Sequence, residues 1–147
     1  MKKTEIDHAV NILRAGGLVA FPTETVYGLA ADASNSEAIS RLFQAKGRPR
    51  SKPFALMLPV GLKPTAWAEW SAEAESLAAA FWPGPLTIIA PRLPSVDPLI
   101  TAGSDGVGFR VPAHEGALAL LKAFHGALVV TSANSSGGTD HTSSAAV

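Results

Sequence analysis

Leu86-Thr87-Ile88-Ile89-Ala90 and Val107-Gly108-Phe109-Arg110-Val111 are two short apolar runs with no helical period between them. Two strands that follow each other without a crossover helix do not belong to an all-parallel sheet, so a mixed sheet is predicted. Working outward, helical and strand patterns alternate. Thr4 and Asp7 resemble a capping box, and Ile6, Ala9, Val10 and Leu13 then recur on one helical face until Gly16-Gly17. Leu18 to Phe21 reads as a buried strand ended by Pro22. Ser34 with Glu37 is expected to cap a second helix carrying Ala38, Leu42 and Ala45, with Ile39 and Phe43 beside them. Phe54 to Leu58 is a strand between two prolines. Ser71 caps a third helix with Ala74, Leu77, Ala78 and Phe81 on its face, ended by Pro83. Glu115 to Phe124 is a helix closed by Gly126, and Ala127 to Val130 is a last strand. The fold class is therefore α/β, a twisted mixed sheet with flanking helices. Residues 135–147 have no apolar period and are expected to be mobile.

Composition bounds the function. A chain of 147 residues suits one domain, and 47% hydrophobic residues with 16% charged ones describe a packed core. Lys plus Arg equals Asp plus Glu at 12 each, which argues against a protein that simply coats nucleic acid. The absence of cysteine excludes a disulfide scaffold, a thiolate metal site and a cysteine nucleophile. The uncharged run Ser76 to Pro91 is too short and too broken by proline for a spanning helix. The first residues lack a signal-peptide core, so a cytoplasmic protein with no membrane partner is expected. No Walker-type phosphate loop, dinucleotide glycine pattern, zinc-protease helix or nucleophile elbow occurs. The four histidines are scattered, and no metal ligand set of protein side chains is read.

Four features carry chemistry. No acidic residue lies between Ala38 and Ala68, whereas Lys46, Arg48, Arg50 and Lys52 stand within seven positions. Such a cationic loop suits a polyphosphate, though it is equally a solvated loop. Phe21 to Leu29 runs from a strand into Thr23, Glu24, Thr25 and Tyr27. Val129 to Gly138 opens another strand into small hydrogen-bonding residues that let backbone approach an anion. Arg110 is a lone cation in an apolar strand and needs either an internal acid or a ligand carboxylate. Together these suit a nucleotide plus a small acid at strand ends.

Five stretches in this order resemble the YrdC-like family of threonylcarbamoyl-AMP synthases. They are Gly17 to Leu29, Lys46-Gly47-Arg48-Pro49 with Lys52-Pro53, Phe81 to Thr87, Gly108 to His114, and Thr131 to Gly137. The resemblance implies a YrdC-like fold with a concave positive cavity. It implies an enzyme, a nucleotidyltransferase, that joins L-threonine, bicarbonate and ATP into threonylcarbamoyl-AMP and pyrophosphate for tRNA modification, with Mg2+ accompanying ATP. It makes Lys46 and Arg48 the catalytic cations. Lys46, Arg48, Lys52, Ser132 and Asn134 become ATP contacts, and Thr25, Arg110 and Thr131 become L-threonine contacts. Lys52, often Asn in the family, and Met57, where some members have a histidine, are departures. tRNA or other RNA and downstream threonylcarbamoyl-transfer proteins are implied partners. Family members continue past the Ser132–Asn134 loop, so residues 1–147 are expected to form one YrdC-like domain lacking its C-terminal portion. Two alternatives stay open: a non-catalytic RNA- or nucleotide-binding domain, and a carbamoyl-transfer domain of a larger enzyme.

Overall fold

The computed structural model describes residues 2–47 and 53–132. In chain order the elements are α1 (Lys3–Arg14), β1 (Val19–Phe21), β2 (Gly28–Asp32), α2 (Ser36–Lys46), β3 (Ala55–Met57), α3 (Ala72–Phe81), β4 (Ile88–Pro91), α4 (Pro98–Thr101), β5 (Gly106–Arg110), α5 (Glu115–Phe124) and β6 (Leu128–Ser132). A short 3-10 turn covers Pro64–Ala66. Among the described residues the six strands form one sheet in the order β1-β2-β6-β3-β5-β4. Only β3 and β5 pair in parallel; the other neighbours are antiparallel. The sheet is thus mixed, and β4–β5 is the expected antiparallel pair, although its connection carries the one-turn helix α4 that the sequence pattern does not show.

The register sorts side chains onto two faces, because partners across a ladder point the same way and neighbours along a strand point oppositely. Phe21, Ala30, Met57 and Leu128 share the front face. There α1 and α5 cover them, through Val10, Leu13, Leu120 and Leu121. Ala31, Leu56, Val107, Phe109 and Val129 share the back face, where α2 packs with Ile39, Leu42 and Phe43. Each of these large back-face side chains contributes about 1.5–3 kcal/mol on removal from water.

Helix termini follow local chemistry. Asn35, not Ser34, caps α2, its side chain accepting from Ala38 N at 3.1 Å. Ser34 instead donates to Asp32 Oδ1 at 2.7 Å. Ser71 caps α3 as predicted, accepting from Ala74 N at 3.1 Å. Helix α1 begins at Lys3 with no side-chain cap, so Thr4 and Asp7 do not form the expected box. His114 caps α5 through Nδ1, 3.2 Å from Ala117 N, and that helix runs over the predicted residues. Its left-handed terminus is His125, one residue before Gly126.

Other elements also differ from expectation. Strand β2, central in the motif after Tyr27, was not predicted. Strand β1 is an edge strand in which only Phe21 is fully buried. The face assigned to α3 is mostly wet: Ala74 is buried, but Leu77 and Phe81 are exposed. Among the described residues no helix is long and apolar enough to cross a membrane. The tail at 135–147 lies outside the described residues.

Candidate functional site

Helices α1 and α5 cover only part of the front face. Beyond them, that face carries Gly28, Ala55 and Gly108 at paired positions on β2, β3 and β5. A hollow lies beside them. The two glycines are themselves closely packed: a Cβ on Gly108 would stand 3.2 Å from Thr87 Cγ2, and one on Gly28 would stand 2.9 Å from Val130 Cγ1. The hollow is a cavity of about 130 Å³, lined by Thr25, Ala55, Met57, Thr87, Arg110 and Ser132 among others.

One end of the cavity is built by the Thr23–Tyr27 loop and the end of β5. Thr23 Oγ1 donates to Val26 O at 2.6 Å and accepts from Thr25 N at 3.2 Å, which folds the loop tightly. Thr25 Oγ1 then lies 3.5 Å from Arg110 Nη1. Arg110 donates from Nε to Gly84 O at 3.3 Å and from Nη2 to Glu24 Oε1. Glu24 Oε2 in turn accepts from Ala113 N. Arg110 therefore has an internal acid, and both side chains are largely covered, at 15% and 20% exposure. Burial lowers the Arg110 pKa by penalising its charged form.

Gly84 reaches Arg110 because the 83–86 turn is pinned. Gly84 N donates to Val111 O at 2.8 Å, and Trp82 Nε1 donates to Leu86 O at 2.8 Å. A Cβ on Gly84 would lie 2.2 Å from Phe81 O, so only glycine fits this close approach. The Trp82–Pro83 peptide is cis.

The other end lies at the close of β6. Lys46 is in the last turn of α2, not in a loop, and is 4% exposed. Its ammonium donates to Ser132 O at 2.6 Å and Ser132 Oγ at 3.0 Å. Ser132 pairs with Gly28 across β2–β6, and Thr131 also lines the cavity. Ser132 on β6 and Arg110 on β5 lie two strand spacings, roughly 10 Å, apart across the sheet, and the register sets them about four residues, roughly 13 Å, apart along it. The arrangement offers a carboxylate-binding guanidinium beside a hydroxyl at one end and a buried ammonium beside a hydroxyl at the other.

Four predicted residues, Thr25, Arg110, Thr131 and Ser132, line this cavity, and Lys46 is joined to it through its bonds to Ser132. Arg48, Lys52 and Asn134 lie outside the described residues. Met57 lines the cavity and pairs with Arg110 across β3–β5, presenting a thioether there. Arg41 points elsewhere, donating to Gly16 O. Glu24 stands in the loop that the sequence singles out, but its pairing with Arg110 is not legible there beyond the need of a strand arginine for an acid; Gly84 has no assigned role, and the Pro83-Gly84-Pro85 run is its signal. Among the described residues no three His, Cys, Asp or Glu side chains stand together, and no described cavity-lining residue is a carboxylate. These residues do not make a magnesium site, since that ion prefers carboxylate oxygens with water and phosphate.

Residues 11–147 match the profile of the Sua5/YciO/YrdC family, described as "Telomere recombination". The chain belongs to this family. Within the Sua5/YciO/YrdC family, the chain is 44% identical over 138 residues to a threonylcarbamoyl-AMP synthase of Pyrococcus abyssi, covering 93% of this chain and 41% of that protein. It is 41% identical over 136 residues to a threonylcarbamoyl-AMP synthase of Halorhodospira halophila, covering 89% and 69% respectively. The solved structure of P. abyssi Sua5 complexed with L-threonine superposes with a TM-score of 0.95 at 43% identity, covering 99% of this chain and 43% of that one. The chain thus spans about two fifths of the length of the P. abyssi relative. The mixed sheet and flanking helices of the fold are those of the family's Sua5 structure.

Proposed function

We propose that this chain is a threonylcarbamoyl-AMP synthase domain. It takes L-threonine, bicarbonate and ATP and yields threonylcarbamoyl-AMP and pyrophosphate. One observation carries the reading: a single cavity is lined by an arginine–threonine pair, Arg110 with Thr25, and by Ser132, whose hydroxyl and carbonyl accept from the buried Lys46. A small amino acid needs the first pair and a phosphate chain needs the second.

The amine of threonine adds to bicarbonate with loss of water, giving a carbamate. A carbamate oxygen then bonds to the α-phosphorus of ATP as the bond to the bridging oxygen breaks, and pyrophosphate leaves. Arg110 and Thr25 hold the amino acid, Arg110 at its carboxylate, with Thr131 beside it. Lys46 and Ser132 face the phosphates, and Arg48, Lys52 and Asn134 are assigned to the nucleotide by the motif. The protein's contribution is positioning and charge stabilisation, in a nucleotidyl transfer that uses no protein base. Magnesium enters on the phosphate oxygens of ATP as part of the substrate. The product serves tRNA modification in the cytoplasm, with tRNA and a threonylcarbamoyl-transferring protein as later partners.

The experiment is pyrophosphate release by the 147-residue chain, with and without L-threonine and bicarbonate. Release that requires both supports the assignment. Release unaffected by either, or by Lys46→Ala and Arg48→Ala, overturns it. If no release occurs, a chain extended at its C-terminus that remains inactive overturns it as well.

A further inference from the structure

We propose that Glu24 is the positioning residue of the amino-acid end: it fixes the Arg110 guanidinium so that Nη1 is presented to the ligand beside Thr25. The inference rests on reading Arg110 as the contact for the threonine carboxylate. Each guanidinium nitrogen has a separate neighbour. Nε is held by Gly84 O at 3.3 Å, Nη2 is held by Glu24 Oε1, and Nη1 lies 3.5 Å from Thr25 Oγ1. Thr25 and Arg110 line the cavity; Glu24, between two cavity-lining threonines in sequence, does not. Its carboxylate is therefore turned away from the ligand and toward the arginine.

The second oxygen of Glu24 accepts the Ala113 N–H, three residues after Arg110. One carboxylate thus ties the Thr23–Tyr27 loop both to the arginine side chain and to the backbone that follows it. Arginine is long and rotamer-rich, and a ligand gains most from a guanidinium already held in place. With Nη2 occupied, a ligand carboxylate meets Nη1 and the Thr25 hydroxyl, which fixes the direction from which it approaches. Glu24 is itself no contact of the ligand. It acts through Arg110.

The test compares Glu24→Ala, Glu24→Gln, Arg110→Ala and the Glu24→Ala/Arg110→Ala pair, all in the full chain. L-threonine binding is measured by calorimetry, up to millimolar concentrations, alongside ATP binding. Glu24→Ala is expected to weaken threonine binding about tenfold and to leave ATP binding within about twofold. Glu24→Gln, which keeps the shape and an acceptor but not the charge, is expected between the two. In the Arg110→Ala background the same change is expected to add less than about twofold, because the partner through which it acts is gone. Equal losses in both backgrounds, or no loss in either, overturn the proposal. Nitrogen-15 NMR of the Arg110 side chain gives a readout independent of threonine. Slow guanidinium rotation in the unmodified chain, lost in Glu24→Ala, upholds the clamp even if the chain binds no threonine and the synthase reading fails. Free rotation in the unmodified chain overturns the clamp whatever the chain binds.

Discussion

Lys46, in the last turn of α2, and Ser132, the last residue of β6, are 86 positions apart in sequence, and the lysine ammonium meets the serine carbonyl at 2.6 Å. The contact joins a helix on the back of the sheet to the open end of its front hollow. A buried ammonium is stable only where oxygen replaces water around it, and the serine carbonyl and hydroxyl both do so.

Replacing that lysine separates charge from shape. Lys46→Met keeps the length and apolar stem and removes the ammonium. Pyrophosphate release is expected to fall on the order of 100-fold, the scale seen when one preorganised charge donor is lost. The melting temperature is expected to move by only a few degrees, since removing a buried charge offsets the lost bonds. A variant with full activity would remove Lys46 from the reaction.

Thr25 can be tested at its hydroxyl. Thr25→Val deletes the Oγ1 that lies 3.0 Å from Thr23 Oγ1 and 3.5 Å from Arg110 Nη1. L-threonine binding is expected to weaken about tenfold, or ~1.4 kcal/mol, with Thr25→Ser recovering most of it. Titration calorimetry of the three chains decides. An unchanged affinity in Thr25→Val would place the ligand elsewhere.

The hollow itself can be filled. Ala55 lies on the front face of β3 and lines the cavity. Ala55→Leu adds three carbons into that space while keeping a strand residue in the ladder. Threonine binding is expected to be lost, with the folded state retained as judged by circular dichroism. Binding that survives in a folded Ala55→Leu chain would show that the cavity is not where the amino acid sits.

Stability away from the site has its own handle. Asn35 caps α2 through its side chain, and Asn35→Ala leaves Ala38 N without that acceptor. A loss of about 1 kcal/mol is expected in urea unfolding, or roughly 2–4 °C in melting temperature for a domain of this size. Threonine affinity at a temperature where the chain is folded is expected to stay the same.

Sequence patterns predicted the elements whose local and tertiary preferences agree. Glu115 to Phe124 has a strict helical period and forms a helix over those residues, with Leu120 and Leu121 in the core. The strand around Phe109 alternates and pairs as a strand should. Gly28-Leu29-Ala30-Ala31-Asp32 did not read as a strand, because glycine, alanine and aspartate are poor strand formers. It becomes one because Ala30 and Ala31 are small enough to sit under helices on both faces and are fully buried there.

Helix α3 failed in the opposite sense. Its apolar spacing is real, but little packs over it, so Leu77 and Phe81 remain exposed. Lys46 was grouped with the cations that follow it. Its spacing of seven, four and three from Ile39, Leu42 and Phe43 already placed it on the buried face of α2. The Glu24–Arg110 pair was half legible. An arginine between apolar neighbours requires a partner, but a separation of 86 residues carries no local signal of which acid it is.

The strand order has a consequence for how the chain is made. β6 is the last strand in sequence among the described residues, yet it lies in the middle of the sheet, bonded to β2 on one side and β3 on the other. A chain emerging from the ribosome therefore holds two separate ribbons, β1–β2 and β3–β5–β4, each with an open edge, until β6 is released. Insertion of that strand closes both edges at once and brings Ser132 up to Lys46. Assembly of the sheet and appearance of the Ser132 end of the cavity are thus one event, and a nascent chain stopped before Leu128 has neither.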